Sequence, residues 1–269
     1  DQYYVYNNAG SVSYGGRTGN GTITITHGVA AGGAATFRVY ARKPVDVGGN
    51  NSFANNDTGT TFEIEVYPNF PTLSVSNDNP SSASVTATLS ATGGQGGTIE
   101  YAKTSYSSTT TYAQDRGTSV TYYARSVGSN GLISSVSTVS HPVGYITPSL
   151  TVYMNNVSIA HNDSSASVSI GSTAAGQVYA VRTVNGSTAL GSTTATSTTT
   201  VVSWTSSLPT QGNSTTYEIY VQRPTSIGGN NAWYDTNDQF TVTRAVADVT
   251  PDAFDFTNLL VLLYVLQIQ

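Results

Sequence analysis

Arg38-Val39-Tyr40-Ala41-Arg42-Lys43-Pro44-Val45-Asp46-Val47-Gly48-Gly49-Asn50-Asn51 returns 180 residues later as Glu218-Ile219-Tyr220-Val221-Gln222-Arg223-Pro224-Thr225-Ser226-Ile227-Gly228-Gly229-Asn230-Asn231. Alternating positions keep their type: Val39 and Ile219, Ala41 and Val221, Val47 and Ile227. That is the mark of a strand holding one face toward a core, followed by a glycine-asparagine turn. The chain reads as an array of related β modules, and its function is to be sought in what arrays do.

Working outward, the same strand-turn-strand theme occurs at three sites. Thr36–Tyr40 leads through Gly48-Gly49-Asn50-Asn51 to Thr61–Val66, and Thr121–Arg125 leads through Gly128-Ser129-Asn130-Gly131 to Val136–Val139. Thr216–Tyr220 leads through Gly228-Gly229-Asn230-Asn231 to Gln239–Thr243. Each pair alternates and is bridged by Gly and Asn, which predicts a hairpin with a long tip. Upstream elements recur as well. Phe70–Val75 matches Thr147–Val152 as a proline-started first strand, and Ser82–Val85 matches Ser165–Val168 as a second. Thr98–Lys103 and Gln177–Arg182 supply a third. Short strands at this spacing, without a helical period, predict an all-β chain of sandwiches.

Composition points the same way. Only 9% of the 269 residues are charged, against roughly a quarter in ordinary soluble proteins. Polarity comes instead from Ser, Thr, Asn and Gly, and 18 tyrosines with regular Val and Ile supply material for a core. The net charge is −5, and Arg42-Lys43 is the one adjacent basic pair, so no nucleic-acid groove has an electrostatic footprint. The chain has no cysteine, which removes disulfides and thiolate metal sites.

Thr121-Tyr122-Tyr123-Ala124-Arg125-Ser126-Val127-Gly128-Ser129-Asn130-Gly131 resembles the penultimate strand and following loop of fibronectin type III and Ig-like modules. The resemblance covers about 70–250 as two modules. Neither Val85–Leu89 nor Val168–Ile170 carries the tryptophan common on the second strand of fibronectin modules. Thr250-Pro251-Asp252-Ala253-Phe254-Asp255-Phe256-Thr257 resembles the opening strand of Ig-like repeats in large bacterial surface proteins and phage virion proteins. These resemblances imply tandem Ig-like or fibronectin-like sandwiches in a non-catalytic structural or adhesive protein. They imply a place outside the cell, on a virion (fibre, appendage or decoration) or a cell surface. The expected partners are further copies of the chain, other virion or surface proteins, and glycans. A surface adhesin or filament subunit and a carbohydrate-binding accessory module are the alternatives.

The expected organisation is a partial module over 1–69, modules over 70–146 and 147–248, and a segment 249–269. Gln2-Tyr3-Tyr4-Val5-Tyr6 aligns with the third strand of the later modules, so the first module is expected to lack two strands. The final segment is read as the leading strands of a further module or as a strand-exchange tail. Its core is Leu259, Leu260, Val261, Leu262, Leu263, Tyr264, Val265 and Leu266, eight apolar residues in a row. A membrane-spanning helix needs about 20, so no span is predicted. An ordinary buried or edge strand is one reading. The other is that the tail of one subunit completes the first module of the next, giving head-to-tail assembly through Leu259, Leu260, Val261, Leu262, Leu263, Val265 and Leu266. Burial at about 1.5–3 kcal/mol per side chain would contribute on the order of 10 kcal/mol to such a joint before ordering costs. A change of reading frame would leave the same break in Ser/Thr alternation.

Catalytic chemistry finds little purchase. His27, His141 and His161 lie in separate elements without a metal-binding or triad spacing, and no G-x-S-x-G elbow occurs. No cofactor is expected. Asp57, Asp235 and Asp238 are calcium candidates, weighed against Asx-turns, since calcium takes six to eight oxygens. Phe53, Trp233 and Tyr234 follow the Gly-Asn turns and are glycan-contacting candidates, weighed against aromatics that anchor the loop to the sandwich edge.

Overall fold

The computed structural model describes residues 1–8, 13–50, 57–79 and 82–248. They are all-β, and the helical turns among the described residues are two single 3-10 turns, at Val45–Val47 and Thr225–Ile227. The chain divides into two compact units, the first spanning Asp1–Gly144 and the second beginning at Tyr145.

The first unit opens with one antiparallel sheet made of β1 (Gln2–Asn7), β2 (Ser13–Thr18), β3 (Ala34–Arg42) and β4 (Asp57–Glu65), in the order β2-β1-β3-β4. Val5 sits opposite Val39 and Phe37 opposite Phe62, which gathers the apolar set on one face. Tyr4 and Tyr40 pair on the other face, where the Tyr6 and Tyr40 rings meet edge to face at 5.1 Å.

A sandwich follows. Its first sheet is β5 (Pro71–Asn77), β6 (Ser84–Gly93) and β8 (Thr111–Asp115), and its second is β7 (Gly97–Ala102), β9 (Thr118–Gly128) and β10 (Ser137–Val143). Leu73, Ala87 and Leu89 from one sheet meet Tyr122 and Ala124 from the other in a single core. Gln114 is buried among them with its amide satisfied: Nε2 donates to the carbonyls of Thr118 and His141, and Oε1 accepts from the Tyr122 hydroxyl.

The second unit is a larger sandwich. Its strands are β11 (Val157–Ile159), β12 (Ala166–Gly171), β13 (Val178–Thr183), β14 (Gly191–Thr194), β15 (Thr199–Trp204), β16 (Ser214–Gln222) and β17 (Trp233–Arg244). One sheet runs β11-β17-β16-β13-β14, and β12-β15 packs on it. Every second residue of β15 is buried, namely Thr200, Val202 and Trp204. The Trp204 ring lies 5.2 Å from Tyr217 and 5.9 Å from Phe240. The aromatic anchor therefore arrives on the strand paired with β12, not on β12 itself.

The repeated sequence encodes a repeated turn. Pro44 and Pro224, at φ −63° and −62°, each open a 3-10 turn that closes on a left-handed glycine, Gly48 at φ 80° and Gly228 at φ 84°. The next glycine returns its N–H to the proline carbonyl, at 2.8 Å for Gly49 and 2.9 Å for Gly229. A Cβ there would sit 1.6 Å from the Lys43 carbonyl oxygen, or 1.8 Å from that of Arg223. Pro-x-x-x-Gly-Gly is thus a steric requirement of the turn.

Two sequence expectations shift. The second hairpin strands begin earlier than expected, β4 at Asp57 and β17 at Trp233, because a bulge lets pairing continue across Asp57–Thr60 and Asp235–Asp238. Thr147–Val152 does not form a first strand like β5. Tyr153 makes a single bridge to Gly171, and the chain then crosses to run as β11, parallel to β17 on the opposite sheet.

Candidate functional site

The calcium candidates prove to be parts of that bulge. The register of β3 with β4 shifts between Arg38 and Tyr40, and that of β16 with β17 between Glu218 and Tyr220, at equivalent places. Asp57 Oδ1 accepts the Gly59 N–H and Asp235 Oδ1 accepts the Asn237 N–H, both at 2.8 Å. Thr58 and Thr236 donate their hydroxyls to the carbonyls of Val39 and Ile219, at 2.7 and 2.8 Å. The same hydroxyls then accept the N–H groups of Thr60 and Asp238. Asp57 also pairs with Arg38 at 2.7 Å. The Gly59 amide first, and then Arg38, hold its carboxyl below the ordinary carboxylate range. Among the described residues no three His, Cys, Asp or Glu side chains gather to hold a metal ion. Asp238 contributes through its backbone, and Asp57 and Asp235 are occupied by their own strands.

Trp233 and Tyr234 are neighbours on β17, so alternation sends them to opposite faces. Tyr234 packs against the interior core, with its hydroxyl near Asn230. Trp233 stands on the outer face, where the Arg182 guanidinium lies 4.0 Å from the Tyr220 ring centre and 5.4 Å from that of Trp233. Beside them the buried Glu218 carboxylate accepts the Asn185 N–H and the Gln239 amide. Burial, then the charges of Asp235 and Glu218, push the Tyr220 phenol up. The structure does not combine Trp233 and Tyr234 into one platform. Phe53 lies outside the described residues, as do Leu259–Leu266. A second Arg-on-aromatic contact recurs on the middle sandwich, where Arg125 lies 3.9 Å over Tyr106 and pairs with Glu100 at 2.8 Å.

The connection from β15 to β16 carries a further diagnostic contact. Tyr217, entering β16, donates its hydroxyl to the Ser207 carbonyl at 2.6 Å, closing the corner between two sheets. Such a tyrosine corner, on a strand that crosses from one antiparallel sheet to the other, marks a particular sandwich topology. The middle and last modules have the two-sheet fold of fibronectin type III-like and Ig-like sandwiches. No family model matches the chain, and no curated protein matches it. Among solved structures, it is similar to a two-domain fibronectin type III segment of chicken tenascin, at 10% identity over 62% of this chain and 97% of that one, with a TM-score of 0.29. It is similar to fibronectin(III)-like modules of Clostridium thermocellum CbhA at 12% identity over 67% and 98%, with a TM-score of 0.27. Domains 7, 8 and 9 of the S-layer protein SbsC are similar at 12% identity over 80% and 72%, with a TM-score of 0.26.

The joint between the first sheet and the middle sandwich is built from the Gly128–Gly131 tip. Ser129 Oγ donates to the Gly32 carbonyl at 3.0 Å, and Asn130 Nδ2 donates to the carbonyls of Gly33 and Val66 at 3.0 and 3.3 Å. The backbones touch there: a Cβ on Gly32 would lie 1.5 Å from the Gly96 oxygen, and one on Gly96 1.7 Å from the Ala31 oxygen. In the second unit the equivalent tip turns the same way, with the Gly228 carbonyl accepting the Ile146 N–H at 2.8 Å. The first tip bonds the Gly32–Gly33 connection and Val66, and the second bonds Ile146 ahead of its own sandwich.

On the first sheet Val5 and Phe37 are buried, and the opening lies at the edge strand β4. Phe62 is 36% exposed, whereas Phe240, its counterpart on β17, is 2% exposed beneath Trp204. Among the described residues no second sheet covers β1–β4, and a groove of about 340 Å³ opens there beside Tyr14, Val29, Ala35 and Phe37. Gly32, Gly96, Ser129, Asn130, Phe62 and Arg182 were not singled out from sequence. Phe62 had a signal, since Phe240 occupies the same step of the repeat. The joint residues had no signal for this contact, because their partners lie in connections far away in the sequence. No helix among the described residues is long and apolar enough to cross a membrane.

Proposed function

We propose that the chain is a non-catalytic structural and adhesive protein working outside the cell. In this reading it is a fibre, appendage or decoration component of a virion, with a cell-surface adhesin or filament subunit as the neighbouring possibility. Its modules are 1–69, 70–146 and 147–248, and 249–269 serves in assembly, joining chains head to tail by strand exchange. The joint at Gly32, Gly96, Ser129 and Asn130 carries the reading, because it gives one module a fixed hold on the next by backbone contact. That is what a spacer needs and a hydrolytic cleft does not. The carboxylates of Asp57, Asp235, Glu100 and Glu218 are taken up within their own sheets, which also favours a scaffold.

Electron microscopy of the native particle, with antibody to the second unit, tests this. Labelling along a virion appendage or a surface filament is the expected outcome. Label confined to the cytoplasm would overturn the reading. Sedimentation of the full chain and of the chain lacking 259–269 tests the assembly step. Concentration-dependent multimers that vanish with the deletion are expected, and unchanged sedimentation would remove strand exchange.

A further inference from the structure

Two aromatic rings stand out where the lead-in to the middle sandwich passes the segment between β9 and β10. Tyr67 and Phe70 are each 63% exposed, whereas Tyr122 in the core of the same sandwich is fully buried. With Asn69, Ile133 and Ser135 they line a groove of about 520 Å³, within the size range of small-ligand pockets. Both walls are held from behind. Pro68 and Pro71 are buried, and each fixes one backbone angle beside the exposed rings. The Asn69 N–H donates to the Gln95 carbonyl at 3.1 Å, and Asn69 Nδ2 donates to Gln95 Oε1 at 3.3 Å. On the other wall Ile133 bridges to Val127, and the Ser134 N–H donates to the Ser126 carbonyl at 2.9 Å. The rings are thus held in place before any ligand arrives, so little ordering cost falls on binding.

We propose that this groove binds a neutral saccharide, with a pyranose ring stacked against Tyr67 and Phe70 and its hydroxyls bonded to Asn69 and Ser135. The inference rests on the adhesive reading above and gives it a ligand class and a place. The lining combines aromatic rings with an amide and hydroxyls, which suits a molecule with an apolar face and a polar edge. The C–H groups on the face of a pyranose carry weak positive charge, and the face of an aromatic ring is negative. Tyr67 Oη and Ser135 Oγ make no hydrogen bond among the described residues, so each keeps a donor and an acceptor for sugar hydroxyls. No charged side chain lines the groove, so nothing there offsets the cost of desolvating a phosphate, sulfate or carboxylate. An extended peptide finds little to pair with. Pro68 and Pro71 carry no N–H, and the Asn69 and Ser134 N–H groups are already spent.

The test uses the full-length chain on a printed array of neutral, sialylated and sulfated oligosaccharides. Binding confined to neutral members is expected. The same neutral oligosaccharides, titrated in solution to millimolar concentration, should shift the amide resonances of Asn69, Phe70, Ile133 and Ser135. Tyr67→Ala and Phe70→Ala are each expected to weaken binding about tenfold or more, and Phe70→Trp to keep it. Both rings are largely exposed, so the thermal midpoints should stay at the wild-type value. Tyr153→Ala, which removes a ring 65% exposed in the second unit, should leave binding unchanged. Failure of every neutral oligosaccharide to bind, on the array and in solution, overturns the proposal. So does binding that survives both alanine substitutions, or that Tyr153→Ala weakens equally. Binding of acidic oligosaccharides alone, or of a proline-rich peptide in their place, refutes the ligand class. If the groove fails while antibody still labels an appendage or filament, the structural reading stands without this ligand. Label confined to the cytoplasm alongside ring-dependent sugar binding would overturn the location and leave the groove.

Discussion

Tyr217 and Asp57 show how single side chains hold these sheets. The Tyr217 ring is enclosed by Trp204 and Phe240, and burial pushes its phenol up, while the hydroxyl ties down Ser207. Phe37 occupies the same position in the first sheet, so the ring alone can fill the space. Tyr217→Phe is therefore expected to cost about 1 kcal/mol, the worth of one hydrogen bond, in urea unfolding of the second unit. Asp57 gives a pH signature. Its folded pKa lies below the ordinary 3.8, so its contribution is complete above that value and is lost as pH falls through the lowered one. The Gly59 amide resonance should titrate with a midpoint under 3.8 and stop titrating in Asp57→Asn. A midpoint at or above the ordinary value would contradict the assigned bond. Trp233 and Tyr234 carry a lesson at this scale. Their opposite orientation follows from strand alternation and was legible in the sequence once β17 was known to start at Trp233. That start was hidden by the bulge, which the letters Asp-Thr-Asn-Asp do not distinguish from a loop.

Among elements, the Pro-x-x-x-Gly-Gly turn is the most sequence-determined. Gly228 needs the left-handed region and Gly229 needs the absence of a Cβ. Gly228→Ala is expected to cost about 1 kcal/mol. Gly229→Ala should cost more, because its methyl meets the fixed Arg223 carbonyl, not a movable side chain. Ranking the two thermal midpoints against wild type checks this order. The repeated strands were legible for the same local reason: period-two alternation shows in the pairs Val39/Ile219 and Ala41/Val221. Thr147–Val152 was read as a strand from its likeness to Phe70–Val75. It fails to be one because the lead-in of the last module switches sheets at β11, and the choice of sheet is made by β17, some 85 residues further on.

Above the single element, the joint between the first sheet and the middle sandwich couples the two. Asn130→Ala removes the bonds to Gly33 and Val66, and the first sheet should then unfold apart from the middle sandwich. Calorimetry of the full chain is expected to resolve an added, lower transition in the variant; one superimposable on wild type would mean the clasp does not couple them. The sequence by itself determined the strand faces, the Gly-Gly turns and the modular repeat, because each depends on residues within a few positions of one another. Only the tertiary structure decided that Gly32 must meet Gly96, that Asn130 reaches Val66, and that Phe62 is left uncovered where Phe240 is not. Those outcomes depend on which backbone lies against which across long stretches of chain, and no local pattern of side chains records that.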